Sequence, residues 1–141
     1  MANTTANHFK YLVMTGVIHC LTDQFKIILM ESGFVFNKDT HHNYADVVGD
    51  ELPTLNGYSQ GAKILAGVVV TEDDANDRCE IAWNNPTWTA AGGDIGPASG
   101  AIIYDDTVAN DPIAGYIDFG GDYSEANGGV AALGSVGLRL A

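Results

Sequence analysis

The stretch from Ile81 to Phe119 constrains the fold more than any other part of the chain. It contains two runs rich in apolar and β-branched residues, Ala101–Tyr104 and Ile113–Phe119, on either side of the polar segment Asp105–Pro112. A shorter run of the same kind, Ile81–Trp83, precedes them. Strand-forming runs joined by a short polar connection are typical of antiparallel sheets. The stretch therefore predicts such a sheet.

Two connecting segments lie inside this stretch. Asn84–Thr89 predicts an aromatic turn, and Ala90–Gly100 predicts a loop because glycine recurs in it. These glycines do not form a phosphate cradle, because no strand leads directly into a helix there and no Lys-Ser or Lys-Thr pair follows. They are interpreted as turn residues.

Similar runs recur along the rest of the chain. Phe25–Met30 is almost continuously hydrophobic, which indicates a strand buried on both faces. Ile64–Glu72 and Arg78–Trp83 predict a hairpin around the loop Asp73–Asp77, and Val130–Leu140 predicts a final strand. About eight short strands favour an all-β fold with at most one or two short helices, an antiparallel β-sandwich or jelly roll.

The remaining segments give weaker patterns. His8–Cys20 favours a short helix, although an irregular strand would also suit it. Phe36–Val47 predicts a surface excursion with a helical turn starting at Asp39 or Thr40. Leu55–Ser59, which follows a proline, predicts at best a short edge strand, with a tight turn at its Asn-Gly pair.

The domain organisation is simple. No linker, repeat or low-complexity tract divides the chain, so residues 1–141 are predicted to form a single β-sandwich domain. Residues 1–8 are predicted to be a flexible or partner-bound N-terminal arm, because most of them are small and polar.

The charge of the chain argues against two classes of partner. Eighteen acidic residues against six basic ones give a formal net charge of −12. Phosphate backbones and anionic membrane surfaces should repel such a protein, so neither nucleic acid nor membrane is an expected partner. No run reaches the roughly 20 apolar residues of a membrane span, and the N-terminus lacks the pattern of a signal peptide. A membrane-embedded or conventionally exported protein is therefore not expected.

The cysteines predict no metal site. Cys20 and Cys79 lie beside apolar residues, without a CxxC pair or a zinc-type histidine pattern. We expect two buried free thiols, with a disulfide between them as the alternative.

Two other sets of residues have the chemical character of metal ligands. His41 and His42, with Asp39 and Asp46 nearby, are of the right chemical type, but adjacent side chains point apart on a strand and about 100° apart on a helix. They are interpreted as solvated loop histidines. The aspartates of Asp73–Asp77 and of Asp105–Pro112 could bind calcium, but neither loop has EF-hand spacing, and acids are common in turns.

Catalysis is not indicated. The chain has no GxSxG elbow and no spacing of serine, cysteine and histidine that suggests a triad. Paired carboxylates are expected by chance in so acidic a chain, so a glycosidase reading is weak. We therefore predict a protein that is not an enzyme and needs no cofactor, and we keep a small hydrolase only as a third class.

Six aromatic residues could instead form a sugar-binding face. A sandwich core or an oligomer interface is the stronger interpretation, since large rings at strand positions normally serve there. The residues are Trp83, Trp88, Tyr104, Tyr116, Phe119 and Tyr123.

The order of several short motifs resembles small structural proteins of tailed bacteriophages and prophages. They run from Phe25-Lys-Ile-Ile-Leu-Met30 through Asn56-Gly-Tyr58, Leu65-Ala-Gly-Val68, Trp83-Asn-Asn-Pro-Thr-Trp88-Thr-Ala and Ala101-Ile-Ile-Tyr-Asp-Asp106 to Tyr116-Ile-Asp-Phe-Gly-Gly121. The likeness extends from about Phe9 to the C-terminus. Within that group the chain is most similar to the decoration or cement proteins that bind a capsid after its shell expands.

This resemblance implies a role without catalytic residues. The expected partners are the major capsid protein and further copies of this chain, as a homodimer or homotrimer, on the outer surface of a virion made in the bacterial cytoplasm. Phe9, Tyr11 and Leu12 are the candidate capsid or oligomer contacts. The alternative is a tail- or fibre-associated virion protein that binds a host surface glycan or another tail subunit.

Overall fold

The computed structural model describes residues 2–141. Over these residues the chain forms nine strands, one α-helix and three single-turn 3-10 helices. The strands are β1 (Ala2–Thr5), β2 (Phe25–Glu31), β3 (Val69–Asp73), β4 (Arg78–Ala82), β5 (Thr87–Thr89), β6 (Ile95–Asp105), β7 (Ile113–Glu125), β8 (Val130–Ala132) and β9 (Gly137–Leu140). The helix is α1 (Asn7–Met14), and the 3-10 turns are Tyr44–Asp46, Val48–Asp50 and Asp74–Asn76.

Every strand pair in the described chain is antiparallel. The strands form three sheets, ordered β1-β7-β6-β2, β3-β4-β9 and β5-β8. The predicted all-β, antiparallel fold is confirmed, while the jelly-roll topology stays a prediction.

The β6–β7 hairpin is the centre of the largest sheet, and the polar segment before Ile113 connects its strands. Both strands are longer than predicted. β6 begins inside the predicted glycine loop, because bulges between Ile95 and Gly100 let the glycine-containing segment keep pairing with β7. Gly100 is needed there, since a Cβ at this position would lie 2.3 Å from the Tyr116 hydroxyl oxygen.

The burial pattern follows the apolar runs. The segments Ile27–Met30, Ala101–Asp105 and Ile113–Ile117 are buried without interruption. A strand buried on both faces needs no polar alternation. The prediction that Phe25–Met30 is such a strand is confirmed.

The predicted hairpin around Asp73–Asp77 is confirmed as β3 and β4, although β3 begins only at Val69. The predicted final strand is wrong as one element. It divides into β8 and β9, which belong to different sheets, and Ser135 between them has a φ of 55°. The predicted aromatic turn likewise contains a strand, β5.

The N-terminus differs most from its prediction. Residues 2–5 are not an arm but pair with β7 along their whole length, and Asn7 and His8 begin α1. Residue 1 lies outside the described residues. The Asn3 Nδ2 donates to the Gly137 carbonyl at 2.7 Å, and the Thr5 hydroxyl donates to the Arg139 carbonyl at 2.6 Å. The segment therefore connects the largest sheet to β9.

One of the two turns predicted in the connection between β2 and β3 is confirmed, and the other lies at a different place. The predicted Asn56-Gly57 turn is confirmed, since Leu55 and Tyr58 exchange backbone hydrogen bonds of 2.9 and 3.0 Å around two residues with positive φ. The helical turn expected at Asp39 or Thr40 instead begins after Asn43. There Asn43 and Asp46 form a capping box, which satisfies the first backbone N–H groups.

Both cysteines are free, but the prediction that both are buried is wrong. Cys20 is half-buried and Cys79 is exposed. Cys79 lies on β4 beyond the buried Ile81, where the sheet extends past the core. Among residues 2–141, no helix is long and apolar enough to cross a membrane.

Candidate functional site

The structure separates the three predicted contact residues of helix α1. Phe9 is fully buried and meets Phe25 edge-on, with ring centroids 6.4 Å apart. Phe9 therefore belongs to the core, and its prediction as a contact residue is wrong. Leu12 is half-buried against the core, whereas the Tyr11 side chain is 62% exposed.

Further apolar side chains are exposed next to Tyr11. Met14, Val17 and Leu21 are 85%, 43% and 64% exposed, so four large apolar residues face solvent within residues 11–21. Tyr11 and Met14 are three positions apart and share a helix face. We call Tyr11, Met14, Val17 and Leu21 the α1 patch. Single exposed apolar residues are ordinary, whereas groups of them are typical of interaction surfaces, so the α1 patch is the candidate surface.

The turn after α1 explains why this patch is exposed. The Leu12 carbonyl accepts backbone hydrogen bonds from Val17 at 2.9 Å and Ile18 at 3.2 Å. This tight reversal buries Ile18 and leaves Val17 outside. The predicted contact residues lie within α1, whereas the exposed apolar side chains extend from Tyr11 past the C-terminal end of the helix to Leu21.

The two adjacent histidines lie in different surroundings. His41 is half-buried near Phe34, its Nδ1 accepting from the Asn37 N–H at 3.1 Å. His42 is exposed and stacks on His8, with ring centroids 4.7 Å apart. Burial and the neighbouring His42 lower the pKa of His8. Across residues 2–141, no three His, Cys, Asp or Glu side chains are grouped so that they could hold a metal ion.

The loop Asp73–Asp77 is organised by its own side chains. The Asp73 carboxylate accepts from Asn76 Nδ2 at 2.9 Å and contacts Arg78 Nε at 3.1 Å. The hydrogen bond from Asn76, and next the charge of Arg78, lower the pKa of Asp73. Through these contacts the Asp73 carboxylate closes the hairpin turn.

Asp105 is the most unusual acid. It is fully buried, and its Oδ1 accepts from the Thr107 and Val108 N–H groups at 2.8 and 3.1 Å. When both carboxyl groups are ionised, Asp105 Oδ2 has no hydrogen-bond donor among the described residues. A proton kept by one carboxyl of the adjacent Asp105–Asp23 pair supplies that hydrogen bond. Burial, and then hydrogen bonding to Asp23, raise the pKa of Asp105 to about 7.

A buried polar cluster around Glu51 was not predicted. The Glu51 carboxylate accepts from the Tyr44 hydroxyl, from the Tyr58 hydroxyl at 2.7 Å and from the Gly61 N–H at 2.9 Å. Tyr58 also accepts from the Leu29 N–H at 2.9 Å. Burial first, and hydrogen bonding to Glu51 second, raise the pKa of both tyrosines.

The Glu51 cluster has a structural role. Its donors come from positions 44, 58 and 61, which all lie in the long connection between β2 and β3, residues 32–68. The hydrogen bond between Tyr58 and Leu29 attaches this connection to the edge of β2. No local sequence pattern predicts the Glu51 cluster, because its residues come together only when the connection folds back on β2.

The aromatic residues divide as the core interpretation predicts. Trp83, Trp88, Tyr104 and Tyr116 are buried. Only Tyr123, at 40%, is an exposed member of the set, and it borders a groove of about 330 Å³ with Phe119, Leu133 and neighbouring glycines. A continuous aromatic face for stacking on sugars is therefore not formed by the buried four.

A second groove, of about 660 Å³, lies between β1 and the β4–β9 pair. Its charged residues, Glu80 and Arg139, already pair with each other at 3.3 Å. Such a paired rim does not supply a free acid or base.

Comparison with protein-family models, curated proteins and solved structures finds no match to this chain.

Proposed function

We propose that this chain is a non-enzymatic virion structural protein that binds the outside of a tailed-phage capsid. It cements or decorates neighbouring major capsid subunits and so stabilises the shell against internal DNA pressure. The motif order from Phe25 to Gly121 supports the phage assignment as a resemblance. The role needs no active site.

One observation carries this proposal: the α1 patch, which brings four exposed large apolar side chains together within residues 11–21 of an acidic domain. The segment that carries the patch is anchored to the domain, because its residues Phe9 and Ile18 are buried in the core. An apolar surface on a rigid support loses little conformational entropy when it binds. It suits permanent docking on a protein shell better than transient turnover of a substrate.

The proposed mechanism is mechanical. Homodimers or homotrimers bridge joints between capsid subunits, and each contact contributes modestly. Repetition over the shell, and linkage of several contacts within one oligomer, raise the total through avidity. A bound protein stabilises the state to which it binds, so shells carrying it should break at higher temperature.

The experiment compares capsids assembled with wild-type protein and with the double variant Tyr11→Ser, Met14→Ser. The expected result is loss of at least about tenfold in capsid affinity, because binding buries apolar surface. The matched control is Leu55→Ser, Val35→Ser, whose positions are 60% and 79% exposed. The control should bind and raise the shell's breaking temperature as wild type does.

Equal binding by both double variants would contradict docking through the α1 patch. The wider role is tested by copy number per particle. Hundreds of copies on the head agree with a cement protein, whereas a few copies at the tail would contradict it and support the tail- or fibre-associated alternative.

A further inference from the structure

The edge strands of this fold differ in whether their outer backbone groups are hydrogen-bonded. A strand edge presents unpaired N–H and C=O groups, and proteins normally cover or block them. The outer edge of β2 is covered by the connection that follows it. Ile27 donates to the Lys63 carbonyl at 3.0 Å, Leu65 donates to the Phe25 carbonyl at 2.8 Å, and Leu52 donates to the Leu29 carbonyl at 2.9 Å.

The edges of β1 and β9 cover each other in a different way. The side chains of Asn3 and Thr5 donate to the β9 carbonyls of Gly137 and Arg139. These side-chain bonds satisfy backbone acceptors that a neighbouring strand would otherwise take.

The outer edge of β3 has no such cover. Apart from the ladder to β4, no backbone group of Val69–Asp73 is hydrogen-bonded within residues 2–141. Val69 and Val70 are 57% and 42% exposed, and Thr71 is exposed as well. The strand contains no lysine or proline, and its register with β4 has no bulge. It therefore lacks lysine, proline and a bulge, three of the devices that block edge pairing, and its valines and threonine favour a strand.

Charge indicates what kind of strand would fit this edge. Glu72 ends the apolar part of β3, and Asp74 and Asp77 follow in the turn. None of these three acids forms a salt bridge with a described residue. An antiparallel strand added to β3 would place its N-terminal end beside these carboxylates. Basic residues at that end would complement them.

A second copy of β3 fits less well. An antiparallel pair centred on Thr71 would oppose Val69 to Asp73 and Val70 to Glu72, so each valine would face a carboxylate side chain. It would also bring together two chains of net charge −12. Like charge opposes association at ordinary salt.

We infer that the open edge of β3 binds an extended segment of another protein as an added antiparallel strand, with β-branched residues along the edge and lysine or arginine at its N-terminal end. This mode obtains affinity from main-chain hydrogen bonds and specificity from the side chains. The inference rests on the proposed function only for the source of the segment, which would be an extended arm of the capsid subunit.

The test measures binding of a labelled peptide, Lys-Lys-Thr-Val-Thr-Val-Thr, to the whole protein. Its charge-reversed form, Glu-Glu-Thr-Val-Thr-Val-Thr, is the charge control. The Lys-Lys peptide should bind at least about tenfold more tightly, and added salt should weaken it. Val69→Lys should reduce its binding by about tenfold or more, because it places a positive charge on the edge.

Val130→Lys is the matched control. Val130 also lies on a strand and is 55% exposed, against 57% for Val69. Both variants should keep the unfolding temperature of the wild type, since exposed substitutions change stability little. β8 is itself an edge strand of the two-stranded sheet, so a fall in binding with V69K and not with V130K assigns the binding to the edge of β3.

Equal binding of the two peptides, no binding of either, or unchanged binding by V69K would overturn the inference. Self-association that V69K abolishes and V130K keeps would assign the edge to a second copy and would overturn it too. No capsid takes part in this experiment. Its failure therefore leaves the capsid role to the copy-number measurement.

Discussion

The largest sheet and the β3-β4-β9 sheet have the same antiparallel geometry but opposite environments. At the centre of the first, Ile102 and Ile117 are fully buried. In the second, Ile81 and Leu138 are buried, but Val70 and Cys79 are exposed on neighbouring strands. Sheet formation alone therefore does not make a core. The first sheet stabilises the domain, and the second leaves surface and edge for contacts.

The largest expected effect comes from removing buried volume at the centre. Ile102→Ala should lower the free energy of unfolding by about 2–5 kcal/mol, because it removes buried methyl groups and leaves a cavity. Val69→Ala on the exposed sheet should change it by less than about 0.5 kcal/mol. Denaturant unfolding measures both. Similar losses at the two positions would break the comparison between the sheets.

A smaller effect is expected where β1 joins the largest sheet. A Cβ on Gly115 would lie 2.6 Å from the Thr4 carbonyl oxygen and 2.5 Å from a Leu138 methyl carbon. Gly115→Ala should therefore cost about 1–3 kcal/mol through forced displacement of β1 and β9.

The control for that substitution lies on the same strand. A Cβ on Gly121 would meet no atom within 4 Å, so Gly121→Ala should change stability little. Thermal unfolding of the two variants compares them directly. If Gly115→Ala is as stable as Gly121→Ala, β1 is not packed against β7 as tightly as the structure indicates.

The third effect depends on pH and concerns the buried end of β6. Because the pKa of Asp105 is raised from 3.8 to about 7, the folded protein retains a proton that the unfolded chain has lost in this interval. Stability from this group is fully present below pH 3.8 and is lost as the pH rises to about 7. The slope cannot exceed about 1.4 kcal/mol per pH unit for one proton.

Asp105→Asn tests this directly. The neutral amide does not titrate, so the variant should lose less stability than wild type between the two pH values. Asp74→Asn, at an exposed turn position, serves as the control and should keep the wild-type profile. The measurement is the free energy of unfolding across this pH range. If it changes with pH equally in wild type and in Asp105→Asn, no proton is retained at the Asp105–Asp23 pair.

Much of the sheet was predictable because its signals are local. The almost continuous apolar run at Phe25–Met30 predicted β2, and the apolar runs on either side of the polar connection before Ile113 predicted β6 and β7. The Asn56-Gly57 pair predicted a turn. The candidate surface was predicted less well. Phe9 and Tyr11 are both aromatic and only two positions apart, and the sequence alone does not say which one meets Phe25.

The antiparallel, all-β character of this protein and its acidic charge follow from local patterns in the sequence. Alternation, turn residues and charge depend on neighbours along the chain. Three features follow from the tertiary fold instead: Ala2–Thr5 is a strand, Glu51 accepts hydrogen bonds from two tyrosine hydroxyls, and β3 has an open edge. Each of these features depends on which distant segments come together. The hydrogen-bond partners of a backbone or carboxylate group in these places are remote in the chain.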